Sequence, residues 1–291
     1  MNIFAEGLRP PDELTHHDFD VIVRRLADDL AFGTDASRFV GPGIEFAQSR
    51  PYVPGDPIRS MDWKVTGRTG KLHVKEYEAL KRITAYLVVD TSTSMSVGST
   101  DLTKHDVAIW AAAAVGLLAI RRFSPASVIA AGSRNHRAQP TLSRNEFYQS
   151  LEPLRVGRFQ ERTCVGETLD QLMVLAPRNS LVLVLSDLHE DGVIDAIKLA
   201  NQRHDVMVIQ LHDPSETGDL RAGFVRAAEA ETDHRMLIGS RTRIHADRLD
   251  RTTREMSGAG IDHAILRTDE SMIPILRNFL GDRPTGRMAR S

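Results

Sequence analysis

Asp90, Ser92 and Ser94 occupy every second position of Asp90-Thr91-Ser92-Thr93-Ser94, which follows directly on the apolar run Ile83-Thr84-Ala85-Tyr86-Leu87-Val88-Val89. An extended segment turns alternate side chains to one side, so a carboxylate and two hydroxyls face together from the end of a buried strand while Thr91 and Thr93 turn away. Mg2+ and Ca2+ take oxygen ligands of this kind. One acid beside two neutral hydroxyls gives a site of low negative charge that still attracts an anion from outside. The residue patterns of other chemistries are missing. The 11 histidines include no His-x-x-x-His pair, which argues against zinc. Neither Gly-x-Ser-x-Gly nor a phosphate loop ending in Gly-Lys-Ser or Gly-Lys-Thr occurs, so neither a hydrolase nor an ATPase is indicated. Cys164, the single cysteine, has no specified base and reads as a small, partly buried thiol.

The elements that must hold these oxygens follow from periodicity. From Arg82 onward, apolar strands alternate with helical patterns, the signature of a parallel sheet covered on both faces. Strands are predicted at 83–89, 128–131, 180–185, 206–211 and 264–266, with an edge strand at 135–142 and weaker strands at 224–231 and 235–238. Helices are predicted from Thr103 to about Phe123, opened by a capping-box-like Thr103-Lys104-His105-Asp106, and at 143–154, 167–175, 192–201, 243–258 and 272–280. Three of the strands end in Asp90, Asp187 and Asp213, at the rim where open parallel sheets bind ligands. Before them, residues 1–80 read as an arm folded over the main domain: an amphipathic helix over 18–30 that packs on another element, then short strands around Ile44-Glu45-Phe46 and Leu72-His73-Val74 between turns. Residues 81–280 form the main α/β domain and 281–291 a flexible tail.

Composition narrows the classes further. A chain of 291 residues, 41% hydrophobic and 26% charged, can bury the core of one large α/β domain with an appended segment. A net charge of -2 supplies no electrostatic reason for nucleic acid or anionic lipid as main partner. The lone cysteine fits a reducing compartment, and the amino terminus lacks the basic start and apolar stretch of a secretory signal. The apolar run from Val107 to Ile120 is shorter than the roughly 20 residues a membrane span needs. The expectation is a cytoplasmic protein with no nucleic-acid partner and no membrane span.

In its strand context, Asp90-x-Ser92-x-Ser94 resembles the first loop of the metal-ion-dependent adhesion site of von Willebrand factor A domains. That resemblance, over about residues 82–280, implies a doubly wound, mostly parallel, Rossmann-like sheet. It also implies two further site residues: Thr163, with Thr168 as the alternative, and Asp187 at the end of Leu181-Val182-Leu183-Val184-Leu185-Ser186-Asp187. Upstream, Tyr52-Val53-Pro54-Gly55-Asp56-Pro57-Ile58-Arg59-Ser60-Met61-Asp62-Trp63-Lys64, continued through Arg68 to Tyr77, resembles the signature of the bacterial domain-of-unknown-function 58 family. Pro57 stands where a second acid is common there, and the amino-terminal membrane helices of many members are lacking. From the residues themselves, Arg59 can pair with Asp62 across one helical turn and fix Trp63 against the sheet; Arg68, Lys71 and Lys75 read as a solvated loop face in preference to a phosphate or acidic-partner patch; and His189, Glu190 and Asp191 read as solvated residues opening a helix in preference to a contribution to the rim of the metal site.

The leading expectation is a non-enzymatic, Mg2+-dependent interaction adaptor, with Mn2+ or Ca2+ also compatible, whose open coordination position takes an acidic residue of a protein partner. The family resemblance implies a MoxR-type AAA+ ATPase as associate, in assembly or maturation of protein complexes. A phosphatase of the haloacid-dehalogenase type, using Asp90, is the rival. It normally needs a second Asp where Ser92 stands, and a well-placed lysine that the sequence does not display. A metal-free structural scaffold is the third reading.

Overall fold

The computed structural model describes residues 19–31, 45–78, 83–96, 98–133, 136–155, 161–217, 225–228, 235–238 and 244–281. Along the chain run α1 (Phe19–Ala31), β1 (Glu45–Pro51), α2 (Trp63–Thr69), β2 (His73–Glu78), β3 (Ala85–Val89), α3 (Lys104–Arg121), β4 (Ala126–Ala130), α4 (Arg144–Arg155), α5 (Val165–Leu175), β5 (Leu181–Ser186), α6 (Val193–Ala200), β6 (Asp205–His212), β7 (Val225–Ala228), β8 (Arg235–Ile238), α7 (Ile244–Gly258), β9 (Asp262–Arg267) and α8 (Met272–Gly281).

Five strands form one parallel sheet in the order β4-β3-β5-β6-β9, with helices on both faces: a doubly wound α/β fold. The side-chain alternation of each strand divides the core. Leu87, Val89, Leu183, Leu185, Met207 and Ile209 face one layer with α1, α3, α4 and α8, while Tyr86, Val88, Val182, Val184, Val206 and Val208 face α5 and α6. Strands buried on both faces must be apolar almost throughout, which is why they stand out as continuous Val/Leu/Ile runs. From β3 the chain crosses to β4 on one side, then returns to β5 on the other. The carboxyl ends of β3 and β5 therefore flank the topological switch point, where such sheets open a ligand crevice.

Helix α3 runs under the whole of this arrangement. Every residue from Lys104 to Ile120 is buried, because the sheet lies on one side and α1, α4 and α8 pack on the others. Its start is fixed by a capping box in which Thr103 Oγ1 accepts from the Asp106 amide at 3.1 Å and Asp106 Oδ2 accepts from the Thr103 amide at 2.9 Å. Two sequence expectations are corrected in detail. Of the residues predicted as an edge strand at 135–142, those from 136 on lie antiparallel beside β4 through isolated bridges, Arg137 with Ile129 and Thr141 with Ala126, and not as a strand; Pro140 lacks the amide a ladder would need. The hairpin of β1 and β2 packs on itself, with α2 and the turn Ile58–Ser60 against β2, and Trp63 is 65% exposed rather than fixed against the sheet. Asp62 does not pair with Arg59: it caps α2, accepting from the Lys64 and Val65 amides at 3.1 Å and from Ser49 Oγ at 2.5 Å. The tail expected from 281 lies, beyond Gly281, outside the described residues, as does Gly41-Pro42-Gly43.

Candidate functional site

The predicted loop residues meet at the switch point. Asp90, fully buried, follows β3; its Oδ1 accepts from the Ser92 amide at 2.9 Å and its Oδ2 from Ser186 Oγ at 2.6 Å. That first bond is a tight Asx-type turn, and Thr93–Ser96 continues as a single 3-10 turn, so the oxygens converge through a bend rather than through an extended strand. Ser92 Oγ lies 3.0 Å from Ser94 Oγ, and the Ser94 hydroxyl in turn bonds Asp187. Asp187 leaves the end of β5, the strand paired directly with β3. Leu188 after it holds φ at +58°, a left-handed conformation costing on the order of 1–2 kcal/mol. Its amide donates to Ser186 Oγ at 2.9 Å and its carbonyl accepts from Arg248 of α7 at 2.8 Å, so the turn is held from both sides.

Thr91 and Thr93 turn away, as expected, although through the bend and not through strand alternation, and find one partner. Thr91 Oγ1 donates to Glu161 Oε2 at 2.9 Å, and the Thr93 amide and hydroxyl donate to the Glu161 carbonyl at 3.1 and 3.2 Å. This anchors the second loop, whose Thr163 is buried and bridges Gly132 just past β4. Gly132 is required there: a Cβ would stand 2.0 Å from Glu161 Oε2 and 2.3 Å from Thr91 Oγ1. Thr168, the alternative ligand, spends its hydroxyl on the Cys164 carbonyl at 2.7 Å, inside α5. The structure thus gathers Asp90, Ser92, Ser94 and Asp187 into one hydrogen-bonded group and sets Thr163 on the segment tied to it.

Sequence reasoning missed the site's cation. Lys104, at the first position of α3 and 1% exposed, places Nζ 2.8 Å from Asp187 Oδ2 and against Glu216 Oε1 from the turn Pro214–Thr217. The expectation that no lysine is well placed is corrected; the lysine lies 83 residues from Asp187, beyond any spacing rule. A signal existed: a cation in the first turn opposes the helix dipole, and this one stands just ahead of the apolar run Val107–Ile120. His189 Nδ1 stands 3.3 Å from Asp187 Oδ2, and Asp187, His189 and Glu216 offer ligand atoms within 4.8 Å of one another. Nor is Glu190 a solvated helix opener for α6. It crosses to the start of α5, accepting from the Val165 amide at 2.8 Å and the Gly166 amide at 3.1 Å.

The electrostatics of the two acids diverge. Burial, reinforced by the negative charge of Asp187, pushes the Asp90 carboxyl up to about 7 despite its bonds from Ser186 and Ser92. Burial is the largest influence on Asp187 and acts in the same sense, but Lys104, His189 and the Ser94 hydroxyl together outweigh it, so its carboxyl is held below the ordinary range. Lys104 is raised in turn: burial works against its charge, and Asp187 and Glu216 more than offset that. Asp187 has the Lys104 ammonium beside it at 2.8 Å, and among the described residues no salt bridge is made by Asp90. Burial, then the charge of Glu167, pushes the Cys164 thiol up, away from its thiolate form. Asp213, the third strand-end acid, is consumed structurally by Ser99, Ser215 and Thr268.

Among the described residues, no helix is long and apolar enough to cross a membrane. Three uncharacterized proteins, Mb1516 of Mycobacterium bovis and MT1527 and Rv1480 of Mycobacterium tuberculosis, are each 28% identical to this chain over 292 residues, covering 93% of it and 89% of their own length. Among solved structures, the conserved hypothetical protein BatB from Bacteroides thetaiotaomicron aligns at 16% identity and a TM-score of 0.46, over 68% of this chain and 97% of that one. The family described as "Protein of unknown function DUF58" matches residues 48–257, from the β1-β2 hairpin through both site loops into α7, and the chain belongs to that family.

Proposed function

We propose that the chain is a non-enzymatic, Mg2+-dependent protein-interaction adaptor whose ion joins the sheet rim to an acidic residue of a partner. The observation that carries this reading is the convergence of Asp90, Ser92, Ser94 and Asp187 at the switch point, with Asp90 fully buried and, among the described residues, in no salt bridge. The donor set fits a hard dication: carboxylate and hydroxyl oxygens, and a buried acid that favours its ionised form once a cation is near. Asp90, Ser92 and Ser94 would hold the ion with Thr163, and Asp187 would orient the ligands around it. Bound, the ion supplies a positive charge and a coordination position open to an external carboxylate. The family resemblance adds a MoxR-type AAA+ ATPase as working partner, with assembly or maturation of protein complexes as the task.

Titration calorimetry with Mg2+ and Mn2+ tests the reading: wild type binds, and Asp90→Ala and Ser92→Ala each lose at least about tenfold in affinity. Capture of a partner that is indifferent to chelator would sink the bridge. Lys104 is the one feature favouring a phosphatase, yet its ammonium is clamped between Asp187 and Glu216, and Ser92 stands where that chemistry needs an acid. Turnover of p-nitrophenyl phosphate that vanishes in Asp90→Asn would replace the adaptor with the enzyme.

A further inference from the structure

We infer that Lys104 is a built-in competitor for the cation and sets the affinity of the site; this rests on the cation reading just given. An ion held at Asp90, Ser92 and Ser94 draws part of its binding from the charge of Asp187. That charge is already engaged by an ammonium 2.8 Å away, on a residue 1% exposed. Lys104 cannot swing out to solvent as a surface lysine would. It projects from the first turn of α3, whose start is pinned by the Thr103–Asp106 capping box, and its second contact is Glu216 on the turn after β6. Two like charges sharing one carboxylate in a water-poor pocket repel strongly, so every ion that enters does so against Lys104. Glu216 moderates this by giving the ammonium an alternative acid. The site is thereby tuned to weak, exchangeable binding, in which an incoming carboxylate from a partner is needed to retain the ion; cation and partner then stabilise one another. A lysine serving only as a structural ion pair predicts the opposite response to its removal. Deleting it would leave the buried Asp187 and the half-buried Glu216 uncompensated, loosen the loops and weaken any ion bound there.

Full-length protein titrated with Mn2+ alone, with free Mn2+ read from its paramagnetic resonance signal, separates these. Lys104→Met is expected to bind Mn2+ at least about tenfold more tightly than wild type, and Lys104→Arg, which keeps the charge, to stay within about threefold. Should Lys104→Met fail to fold by circular dichroism, the comparison moves to Glu216→Gln against Lys104→Met/Glu216→Gln, where removing the acid and the ammonium together limits the uncompensated charge. The double variant is expected to be the tighter. A folded lysine-free variant that binds no more tightly than its lysine-bearing reference overturns the inference. If wild type nonetheless binds Mn2+ and Asp90→Ala abolishes it, the cation reading survives that failure; if no variant binds Mn2+, both fall.

Discussion

Asp90 carries a pH signature that a purely structural strand-end acid would lack. Its carboxyl titrates near 7 in the fold against an ordinary 3.8, so between those values the native chain holds a proton that the unfolded chain has released. Stability from this group is fully present below about pH 4 and is lost as pH rises toward 7, on the order of 4 kcal/mol at most. Asp187 runs the other way: its contribution is lost only on acidification below the ordinary carboxylate range. His189, His204, His212 and His263, kept neutral first by burial, also cost stability on acidification below about 6.5. The measurement is therefore a difference. In chelator, the unfolding free energy of Asp90→Asn minus that of wild type should grow from about pH 4 to pH 7 and then level, and Mg2+ should stabilise wild type alone. A flat difference would mean Asp90 is ionised without a cation. At this scale the residues that sequence reading grouped and the structure brings together are neighbours, Asp90, Ser92 and Ser94, or end a strand, as Asp187 does. It failed for Lys104, Glu161 and Glu216, which reach the site only because α3, the loop before α5 and the turn after β6 fold onto it.

Elements were more legible than contacts, since burial on both faces imposes continuous apolar runs on β3, β5 and β6, and caps such as Thr103 with Asp106 announce helix starts locally. What periodicity cannot convey is how closely two elements approach. Gly116, in the middle of α3, exists for that reason: a Cβ there would sit 2.0 Å from Phe147 Cζ of α4 and 2.8 Å from Leu87 Cδ1 of β3. In an open helix, Gly→Ala gains roughly 1 kcal/mol. Here the ring of Phe147 is fully buried and has nowhere to retreat, so Gly116→Ala should instead cost about 1–3 kcal/mol by denaturant unfolding. Phe147→Leu, itself destabilising, should recover part of that loss when combined with it. Additive losses would show that α3 and α4 can separate freely. The hairpin misreading has the same origin. Asp62 and Arg59 have helical spacing, but the acid is claimed by the α2 amides and Ser49, and Arg50 takes Asp56 at 2.7 Å instead.

For the molecule as a whole, the decisive arrangement is that α1, placed by sequence with the arm, is structurally a third layer on the core. Ile22, Val23, Leu26, Ala27 and Leu30 are buried in the same cluster as α3 and α8, and the ring of Phe19 lies 5.0 Å from that of Trp110 and under the Arg155 guanidinium at 4.1 Å. Arg277 of α8 donates to the Asp29 carbonyl at 2.7 Å, tying the two ends of the described chain together. Without α1, the apolar run Val107–Ile120 of α3 would present a bare face to water, and the helix that carries Lys104 into the site would lose one of its walls. Leu26→Ala should therefore cost about 2–5 kcal/mol and lower the single unfolding transition of the sheet domain. Trp63→Ala, at an exposed position in the self-packed hairpin, should leave that transition within about 0.5 kcal/mol. Because α3 transmits the loss, Leu26→Ala should also weaken Mn2+ binding well below the unfolding midpoint, whereas Trp63→Ala should not. If the two variants melt the sheet equally, α1 is an appendage, and the position of Lys104 is fixed by the sheet and its other helices alone.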